Sequence, residues 1–361
     1  MYRGELMQEI KITRATTLKQ KPDQSKLGFG QYFTDHMFIM EYTEGKGWEN
    51  ARIVPFDYIP IHPASTVLHY GAEIFEGMKA YKTADGYQMF RPRENIKRMN
   101  DSAERLCLPA IPEDLTLKAL TELINIDYDW IPEQEGTSLY IRPFMYGNDE
   151  TLGVHAVHRA TFAIILSPVG AYYAEGLNPV KISIESEDVR AVRGGTGYAK
   201  CGGNYAASMR AGKRAAAKGF SQVLWLDGVE RKYIEEVGAM NVMFKINGEI
   251  ITPMLTGSVL PGITRKSCIE ILREWGYKVS ERLISVDELI GAAENGTLEE
   301  AWGTGTAAVI SPIGHLVYKD VDHVVAENKI GDLAQKLYNE LTGIQWGKVE
   351  DKRDWCYRVK I

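Results

Sequence analysis

Apolar and polar positions in the first half of the chain follow strand-like and helix-like patterns in turn. Residues 36–42 (HMFIMEY) form an apolar extended segment, and residues 79–92 predict a hairpin that turns at an Asp-Gly pair. Segments 94–106 and 114–124 carry apolar residues every three to four positions, which predicts amphipathic helices. Two further strands, which we expect to pair in one sheet, are predicted at residues 138–146 and 160–170. This order of elements indicates an α+β domain.

A loop-like stretch, AYYAEGLNP, follows these strands, and the strand pattern then restarts in VKISIES. We therefore predict an N-terminal domain over residues 1–168, an interdomain loop over 169–180 and a C-terminal domain over 181–361. In the C-terminal domain the sequence predicts a helix at 204–219, a strand at 222–227, a hairpin at 241–253, a helix at 261–276 and a short helix capped by Ser285 and Glu288.

Length, charge and cysteine content narrow the class of protein. A chain of 361 residues is long enough for two domains, and a net charge of −6 with interspersed signs argues against binding to nucleic acid. The chain has no apolar run long enough for a membrane span and no apolar signal core at its start, so the expected location is the cytoplasm. The four cysteines lie far apart and are expected to be reduced. His155 and His158 have no further ligands nearby in the sequence, and we assign no metal.

One lysine, Lys200, lies in a glycine-rich stretch, GGTGYAKCGGNY, just ahead of a predicted helix. A lysine can be held in place at the end of a helix or strand. If the pKa of its amine is also lowered, the amine can attack a carbonyl and form a Schiff base. The alternative is a lysine that extends along the start of a helix toward water. Spacing alone leaves both interpretations open.

The other groups that a Schiff-base cofactor such as pyridoxal phosphate requires also have candidates. Glu236 is an acidic residue between two predicted strands that could hold the ring nitrogen, and Tyr205 lies about a turn and a half after Lys200. The segment from Leu260 to Thr264 leads into a helix whose backbone amides favour phosphate. Each residue also has an ordinary structural interpretation: an edge carboxylate, a helix tyrosine and a plain helix start.

The stretch GTGTAA at residues 303–308 matches a dinucleotide-binding fingerprint, but we reject that interpretation. The fingerprint must lie between a strand and a helix, whereas the following residues, VISPIGHLVY, predict a strand. The glycines and Thr306 instead suggest a loop whose backbone can approach a charged ligand.

Nine segments occur in a characteristic order: FTDHM (33–37), LHYGAEIFEGMKAY (68–81), LYIRPFMYGN (139–148), SPVGAYY (167–173), GGTGYAKCGGNYAAS (194–208), WLDG (225–228), EVGAMN (236–241), LPGITR (260–265) and GTGTAAVISP (303–312). Together they resemble the branched-chain amino-acid aminotransferases, which are class IV, fold-type-IV pyridoxal phosphate enzymes. The resemblance covers nearly the whole chain. It implies a D-amino-acid aminotransferase-like fold, with a small N-terminal α+β domain and a larger, barrel-like C-terminal domain, and a homodimer.

The resemblance also implies roles for individual residues. Lys200 would be the Schiff-base lysine and proton carrier, Glu236 the partner of the ring nitrogen, and Tyr205 the donor to the phenolic oxygen. Phosphate would be bound by Arg98, by the backbone of Ile263 and Thr264, and by the side chain of Thr306.

The implied reaction transfers the amino group of L-leucine, L-isoleucine or L-valine to 2-oxoglutarate in ping-pong fashion and yields branched-chain 2-oxo acids and L-glutamate. The implied side-chain pocket consists of Phe29, Tyr70, Phe75, Tyr140, Val154 and Tyr172. Arg142 would meet the distal carboxylate of glutamate, and the backbone of Thr306 and Ala307 would bind the α-carboxylate.

The sequence departs from the family pattern in two places. Ala308 and Ser311 stand where some members carry a C-x-x-C redox pair, so thiol control of activity is not expected. Ala239 stands where others have a threonine, which puts a hydroxyl contact to the cofactor in doubt. A D-amino-acid aminotransferase, an aminodeoxychorismate lyase and a non-catalytic pyridoxal phosphate binder remain as alternatives.

Overall fold

The chain divides into two units in a computed structural model that describes residues 9–170 and 177–361. Unit 1 comprises Met1–Tyr172 together with the end of the chain, Ile344–Ile361, and unit 2 comprises Tyr173–Gly343. None of the helices among the described residues is both long and apolar enough to cross a membrane.

In the described residues, the strands are β1 (Lys11–Ile12), β2 (His36–Thr43), β3 (Gly47–Pro55), β4 (Glu73–Phe75), β5 (Met78–Thr83), β6 (Gly86–Phe90), β7 (Ser138–Gly147), β8 (Arg159–Val169), β9 (Val180–Ile184), β10 (Gln222–Leu226), β11 (Ile234–Val237), β12 (Asn241–Ile246), β13 (Glu249–Pro253), β14 (Val279–Arg282), β15 (Leu298–Gly305), β16 (Val309–Tyr318), β17 (Val321–Val324) and β18 (Cys356–Lys360). The helices are α1 (Thr66–Tyr70), α2 (Pro92–Arg105), α3 (Glu113–Ile126), α4 (Gly202–Ala217), α5 (Ile263–Glu274), α6 (Val286–Glu294) and α7 (Asp332–Gln345). Three short 3₁₀ turns, Gln24–Lys26, Tyr128–Trp130 and Ala326–Asn328, complete the described elements.

Unit 1 is built on one sheet with the strand order β1-β3-β2-β8-β7-β5-β6-β18, and β4 pairs with β7 beside it. The predicted strands at 138–146 and 160–170 are confirmed as β7 and β8, and they pair antiparallel along their whole length. The predicted hairpin is also confirmed, as β5 and β6. Helices α2 and α3 bury the apolar stripes that the sequence predicts.

Unit 2 is built on a second sheet, with the order β11-β10-β9-β16-β15-β12-β13-β14, and β17 pairs with β16 beside it. Strand β11 also contacts β12 and β13 from the far part of this order, so the sheet curls on itself. The predicted hairpin at 241–253 is confirmed as β12 and β13. The Ser285 cap is confirmed as well, because its side chain accepts the backbone N–H of Glu288.

The predicted domain limits differ from this division at the end of the chain. Residues 344–361, which the prediction places in the C-terminal domain, belong to unit 1 because β18 pairs antiparallel with β6. The Gln88 side chain adds to this attachment by donating to the carbonyls of Ile344 and Gln345, each at 2.8 Å. The predicted loop 169–180 begins at the last residue of β8 and ends at the first residue of β9, and its middle part lies outside the described residues.

Helix α4 is the element that positions Lys200. Its buried alanines, Ala211 and Ala215, pack on Val223 and Trp225 of β10. Small side chains allow the helix to lie close to the strand, and the Trp225 indole also donates to the Gly238 carbonyl at 2.9 Å. The second half of α4 is therefore packed against β10.

Candidate active site

Lys200 lies two residues before the first residue of α4, and its side chain is directed at Tyr205 on that helix. The Lys200 Nζ donates to the Tyr205 hydroxyl at 2.8 Å, and the lysine is only partly buried. The structure thus brings together the two residues that the sequence pairs by spacing. An amine next to a phenol at the end of an element is a suitable arrangement for proton transfer.

Asn204, which the sequence analysis did not single out, fixes the loop ahead of Lys200. Its amide nitrogen donates to the carbonyls of Thr196 and Ala199, each at 2.8 Å, and its oxygen accepts from the Thr196 hydroxyl at 2.8 Å. These bonds satisfy backbone groups of a loop that has no ladder partners. The position of Lys200 is therefore determined by a short network and not by the helix alone.

Gly197, three residues before Lys200, lies where there is no space for a side chain. A Cβ atom added at Gly197 would lie 2.3 Å from the Ser258 carbonyl oxygen and 2.6 Å from the Ala191 Cβ. No side chain fits between these two backbone segments. The glycine allows the lysine loop to lie directly against the segment around Ser258.

We expect Gly197→Ala to lower the free energy of unfolding by about 1–3 kcal/mol, because the added methyl group forces backbone apart in a packed site. A thermal denaturation curve measures this as a lower Tm. Gly212→Ala is the matched control, since nothing lies within 4 Å of a Cβ there and the residue is in the interior of α4. That variant is expected to gain about 0.5–1 kcal/mol from helix propensity. Equal Tm changes in both variants would contradict the packing argument.

Glu236 lies on β11. Its carboxylate is buried, and a buried arginine, Arg190, lies next to it. Its Oε1 accepts the backbone N–H of Leu260 at 2.7 Å, and its Oε2 lies 3.1 Å from the Arg190 Nε. The Arg190 N–H does not point directly at this oxygen, so the contact is an ion pair without an aligned hydrogen bond. Arg190 also donates to the carbonyls of Gly197 and Ser258, at 3.1 and 2.5 Å. This arginine, absent from the predicted site, ties the carboxylate to the lysine loop.

The neighbouring Glu235 is buried too, but it has different partners. Successive side chains of a strand point to opposite faces, so Glu235 and Glu236 do not share a site. The Ser258 hydroxyl donates to Glu235 Oε1, and burial raises the pKa of this carboxyl. The two adjacent glutamates are therefore distinguishable by their surroundings, and Glu236 is the one linked to the lysine loop.

The first two residues of α5, Ile263 and Thr264, lie where the sequence predicts a phosphate site. The N-cap residue, Gly262, supplies no side-chain cap, so the amides of the first turn keep no capping group of their own. A Cβ at Gly262 would lie 1.9 Å from the Asn241 side-chain oxygen, and the Asn241 amide donates to the Leu260 carbonyl at 2.9 Å. Asn241 therefore holds the helix start in place.

Thr306 and Ala307 lie in the turn between β15 and β16, so a strand follows GTGTAA as the sequence predicts. The two glycines of this stretch, predicted as loop, belong instead to the end of β15. The turn is strained: Val309 has a φ of 63°, an unfavourable angle for a β-branched residue. Asn241, which contacts the α5 start, pairs with Thr304 of β15. Asn241 thus links the residues just before α5 to β15, the strand that precedes Thr306, and Arg190 links Glu236 to the loop before Lys200.

Arg98, the remaining predicted phosphate residue, belongs to unit 1. It is buried on α2, and its guanidinium makes a bidentate contact with Glu76, with Nε–Oε1 at 2.7 Å and Nη2–Oε2 at 2.9 Å. Asn95 also donates to Glu76, at 2.8 Å. Glu76 therefore orients the arginine. On β5, burial lowers the pKa of Lys79 to about 8. The sequence could not reveal this burial, because a single lysine in a short strand is usually exposed.

Four of the predicted substrate residues gather on unit 1. The rings of Phe29 and Tyr140 meet edge to face at 4.9 Å, and the Arg142 guanidinium lies 4.6 Å from the centre of the Phe75 ring. Arg142 also donates to the Tyr140 hydroxyl at 3.1 Å. Its buried Nε has no hydrogen-bond partner among the described residues. The cluster thus presents an aromatic surface with an arginine at its border.

The other predicted substrate residues are placed differently. Tyr70 ends α1 and donates from its hydroxyl to the Leu152 carbonyl, so it contacts the loop that carries Val154. Val154 is 82% exposed. Tyr172 lies outside the described residues.

Comparisons with known proteins agree with this geometry. The family model for class IV aminotransferases matches residues 73–316. A branched-chain-amino-acid aminotransferase 2 of Bacillus subtilis is 55% identical over 98% of this chain and 97% of its own. The chain belongs to the branched-chain amino-acid aminotransferases of class IV. The predicted family, its fold type and its transaminase activity are thereby confirmed.

The fold of this chain is also similar to solved structures of branched-chain aminotransferases. The crystal structure of the Escherichia coli branched-chain amino acid aminotransferase matches with a TM-score of 0.75 and 28% identity, over 90% of this chain and 99% of that one. The crystal structure of the branched-chain aminotransferase from the thermophilic archaeon Thermoproteus uzoniensis, solved with norvaline, matches with a TM-score of 0.74 and 26% identity, over 89% and 99%.

Proposed function

We propose that this aminotransferase moves the amino group of L-leucine, L-isoleucine or L-valine to 2-oxoglutarate, with pyridoxal 5'-phosphate as its cofactor. The observation that carries the proposal is the arrangement of three side chains of unit 2: Lys200, Tyr205 and Glu236. An amine lies 2.8 Å from a phenol, and the same loop is tied through Arg190 to a buried carboxylate. An amine, a phenol and a carboxylate are the groups that this cofactor needs at its carbonyl, its phenolic oxygen and its ring nitrogen.

Pyridoxal phosphate, when bound, supplies an electron sink for the pair left on the α-carbon of an amino acid after proton removal. Lys200 holds the amine that accepts this proton and returns it, and the Tyr205 hydroxyl orients that amine. Glu236 keeps a proton on the ring nitrogen, and Arg190 compensates its buried charge. Each of these four side chains therefore has a chemical task that matches its contacts.

The phosphate is assigned to the start of α5, to Thr306 and to Arg98. The uncapped N-terminus of α5 supports this assignment, because its N–H groups and the helix dipole favour an anion. Arg98 is already oriented by Glu76, so its guanidinium needs little further ordering to bind an anion. The backbone of Thr306 and Ala307 is assigned to the α-carboxylate of the substrate.

The aromatic cluster of unit 1 is assigned to the substrate side chain, together with Tyr70, Val154 and Tyr172. One pocket must accept an aliphatic side chain in one half-reaction and a carboxylate in the other. Phe29, Phe75 and Tyr140 suit the aliphatic group. Arg142, at the border of these rings and with an unsatisfied buried Nε, suits the distal carboxylate of glutamate and 2-oxoglutarate.

We expect Arg142→Met to raise the KM for 2-oxoglutarate about 10- to 100-fold, the range that corresponds to a lost hydrogen bond to a charged group. The KM for L-leucine should change much less, because an aliphatic side chain does not need the guanidinium. Steady-state kinetics with each substrate varied in turn measure both values. Arg159→Met, which removes an exposed arginine of β8, is the control. An equal change for both substrates would assign Arg142 a general structural role.

The experiment that tests the function is a visible absorption spectrum of the purified protein with added pyridoxal 5'-phosphate. We expect a band of the bound cofactor that bleaches with L-leucine and returns with 2-oxoglutarate. A band that responds only to D-alanine or to aminodeoxychorismate would favour the other fold-type-IV enzymes. A band that responds to none of these would indicate a non-catalytic binder.

We also propose that the functional unit is a homodimer, as the resemblance to the family implies. Sedimentation equilibrium of the protein, with the chain mass of 40.5 kDa as the reference, tests this assignment. A monomer at micromolar concentration would contradict it. The cytoplasmic location stays a prediction.

A further inference from the structure

A cluster of possible metal ligands lies in the loop between β7 and β8, and none of its residues is assigned to the cofactor. It consists of Asp149, His155 and His158, whose ligand atoms all lie within 4.8 Å of one another. The Asp149 Oδ1 is 3.8 Å from the His155 Nε2 and 3.6 Å from the His158 Nδ1. The two imidazole rings stack with their centres 5.0 Å apart. The chain therefore brings ligand atoms of two histidines and one carboxylate close together.

The distances within this cluster suit a bound ion better than direct hydrogen bonds. An N–H···O hydrogen bond spans about 2.7–3.2 Å, and both nitrogen–oxygen separations exceed that range. Two ligands of a tetrahedral zinc ion lie about 3.3 Å apart, as follows from zinc–nitrogen and zinc–oxygen bonds of about 2.0–2.1 Å. The two oxygen–nitrogen separations would each need to shorten by about 0.3–0.5 Å to reach this value, and the three ligand atoms all lie within 4.8 Å of one another.

A second and independent observation is the tautomer of His155. Its Nδ1 lies 2.6 Å from the Gly153 carbonyl oxygen, which can only accept, so Nδ1 carries the proton. In a neutral ring with this tautomer, Nε2, which lies 3.8 Å from the Asp149 Oδ1, is the nitrogen that offers a lone pair to a metal ion. Metal-bound histidines are oriented in this way, with the other ring nitrogen donating to a backbone carbonyl or a carboxylate.

The Asp149 carboxylate supplies the charge that a cation would neutralise. It is buried, with 5% of the residue exposed, and it accepts the His158 backbone N–H with both oxygens at 3.2 Å. Within the described part of the chain, the only basic side chains within 4 Å of it are those of His155 and His158. A buried carboxylate without a permanent cation is costly, and a divalent ion would remove that cost.

Glu44 completes the surroundings of the cluster. Its Oε2 lies 3.7 Å from the His158 Nε2, on the side of the ring away from Asp149, and its backbone N–H donates to the His158 carbonyl at 2.8 Å. This separation also exceeds the hydrogen-bond range, so Glu44 adds negative charge beside the cluster without orienting the His158 ring.

We propose that Asp149, His155 and His158 form a binding site for one Zn²⁺ ion per chain, with water as the fourth ligand. Imidazole nitrogens and a carboxylate oxygen are zinc ligands, and three protein ligands with an open position leave room for water. The site does not depend on the proposed substrate or on the cofactor. The ion would fasten both ends of residues 149–158 and so restrain the loop that carries Val154.

The test uses the full-length protein, stripped with EDTA and dialysed, and titrated with ZnCl₂ by calorimetry. We expect one Zn²⁺ per chain with a micromolar or lower Kd, and a Tm that rises with zinc concentration, because a ligand that binds only the folded state stabilises it. His155→Ala and His158→Ala should each weaken binding at least tenfold. His315→Ala is the matched control, because it removes another histidine that pairs with an aspartate, Asp322, and should leave binding unchanged.

Cobalt provides a second readout on the unaltered protein. Co²⁺ in a four-coordinate site of nitrogen and oxygen ligands gives a far stronger visible band than six-coordinate Co²⁺ does, and Zn²⁺ should displace it stoichiometrically. The proposal is overturned if the wild-type protein binds no zinc at 100-fold excess. It is also overturned if the double variant lacking His155 and His158 binds zinc as the wild type does, or if Co²⁺ gives no such band.

Discussion

Replacing Lys200 with alanine is expected to lower the rate of transamination about 10³-fold or more, because the variant loses the amine that attaches the cofactor and carries the proton. The Lys200 Nζ donates to a tyrosine hydroxyl in a partly buried site, where water can take its place as the donor. The fold should therefore survive the change. Initial rates with L-leucine and 2-oxoglutarate measure the effect on activity, and circular dichroism measures the effect on the fold.

The control is Lys213→Ala, which removes an exposed lysine from the same helix. It should keep full activity and the same cofactor spectrum. The Lys200→Ala variant should lack the wild-type cofactor band even at high pyridoxal phosphate. If a folded and cleanly purified Lys200→Ala variant turns over at more than a few per cent of the wild-type rate, Lys200 is not the catalytic lysine.

Replacing Glu236 with glutamine is expected to lower the rate about 10²-fold or more while the shape of the site is kept. Glutamine still accepts the Leu260 N–H through its oxygen, but it no longer carries the charge that would hold a proton on the cofactor ring. The change also leaves the buried Arg190 guanidinium without its anion, so we expect a lower Tm as well. Cofactor-saturated rates and thermal denaturation separate the two effects.

Glu235→Gln provides a control at the adjacent position. Glu235 is equally buried, but it bonds to Ser258 and points to the other face of β11. Its raised pKa indicates that this carboxyl tolerates the neutral form, so an uncharged amide should cost little. We expect near wild-type activity from this variant. A larger loss of rate in Glu235→Gln than in Glu236→Gln would exchange the roles of the two glutamates.

Secondary structure followed from the sequence wherever local patterns were strong. The amphipathic helices α2 and α3, the hairpins β5–β6 and β12–β13, and the Ser285 cap all depend on residues a few positions apart. The return of the chain end to unit 1 was not predictable in this way, because β18 pairs Cys356 with Phe90, far earlier in the chain. Such a pairing depends on a free sheet edge that no local pattern describes.

The sequence by itself determined the family. Through that resemblance it also named the lysine, the glutamate and the helix start that we propose for the cofactor, because the chemistry needs these residue types in recognisable segments. Only the tertiary structure revealed Arg190 and Asn204, which act through contacts with carbonyls and with a carboxylate from distant segments. Likewise, the sequence showed two histidines three residues apart, and the fold added Asp149. Residues whose role is to hold others in place cannot be read from spacing, since their partners are neighbours only in space.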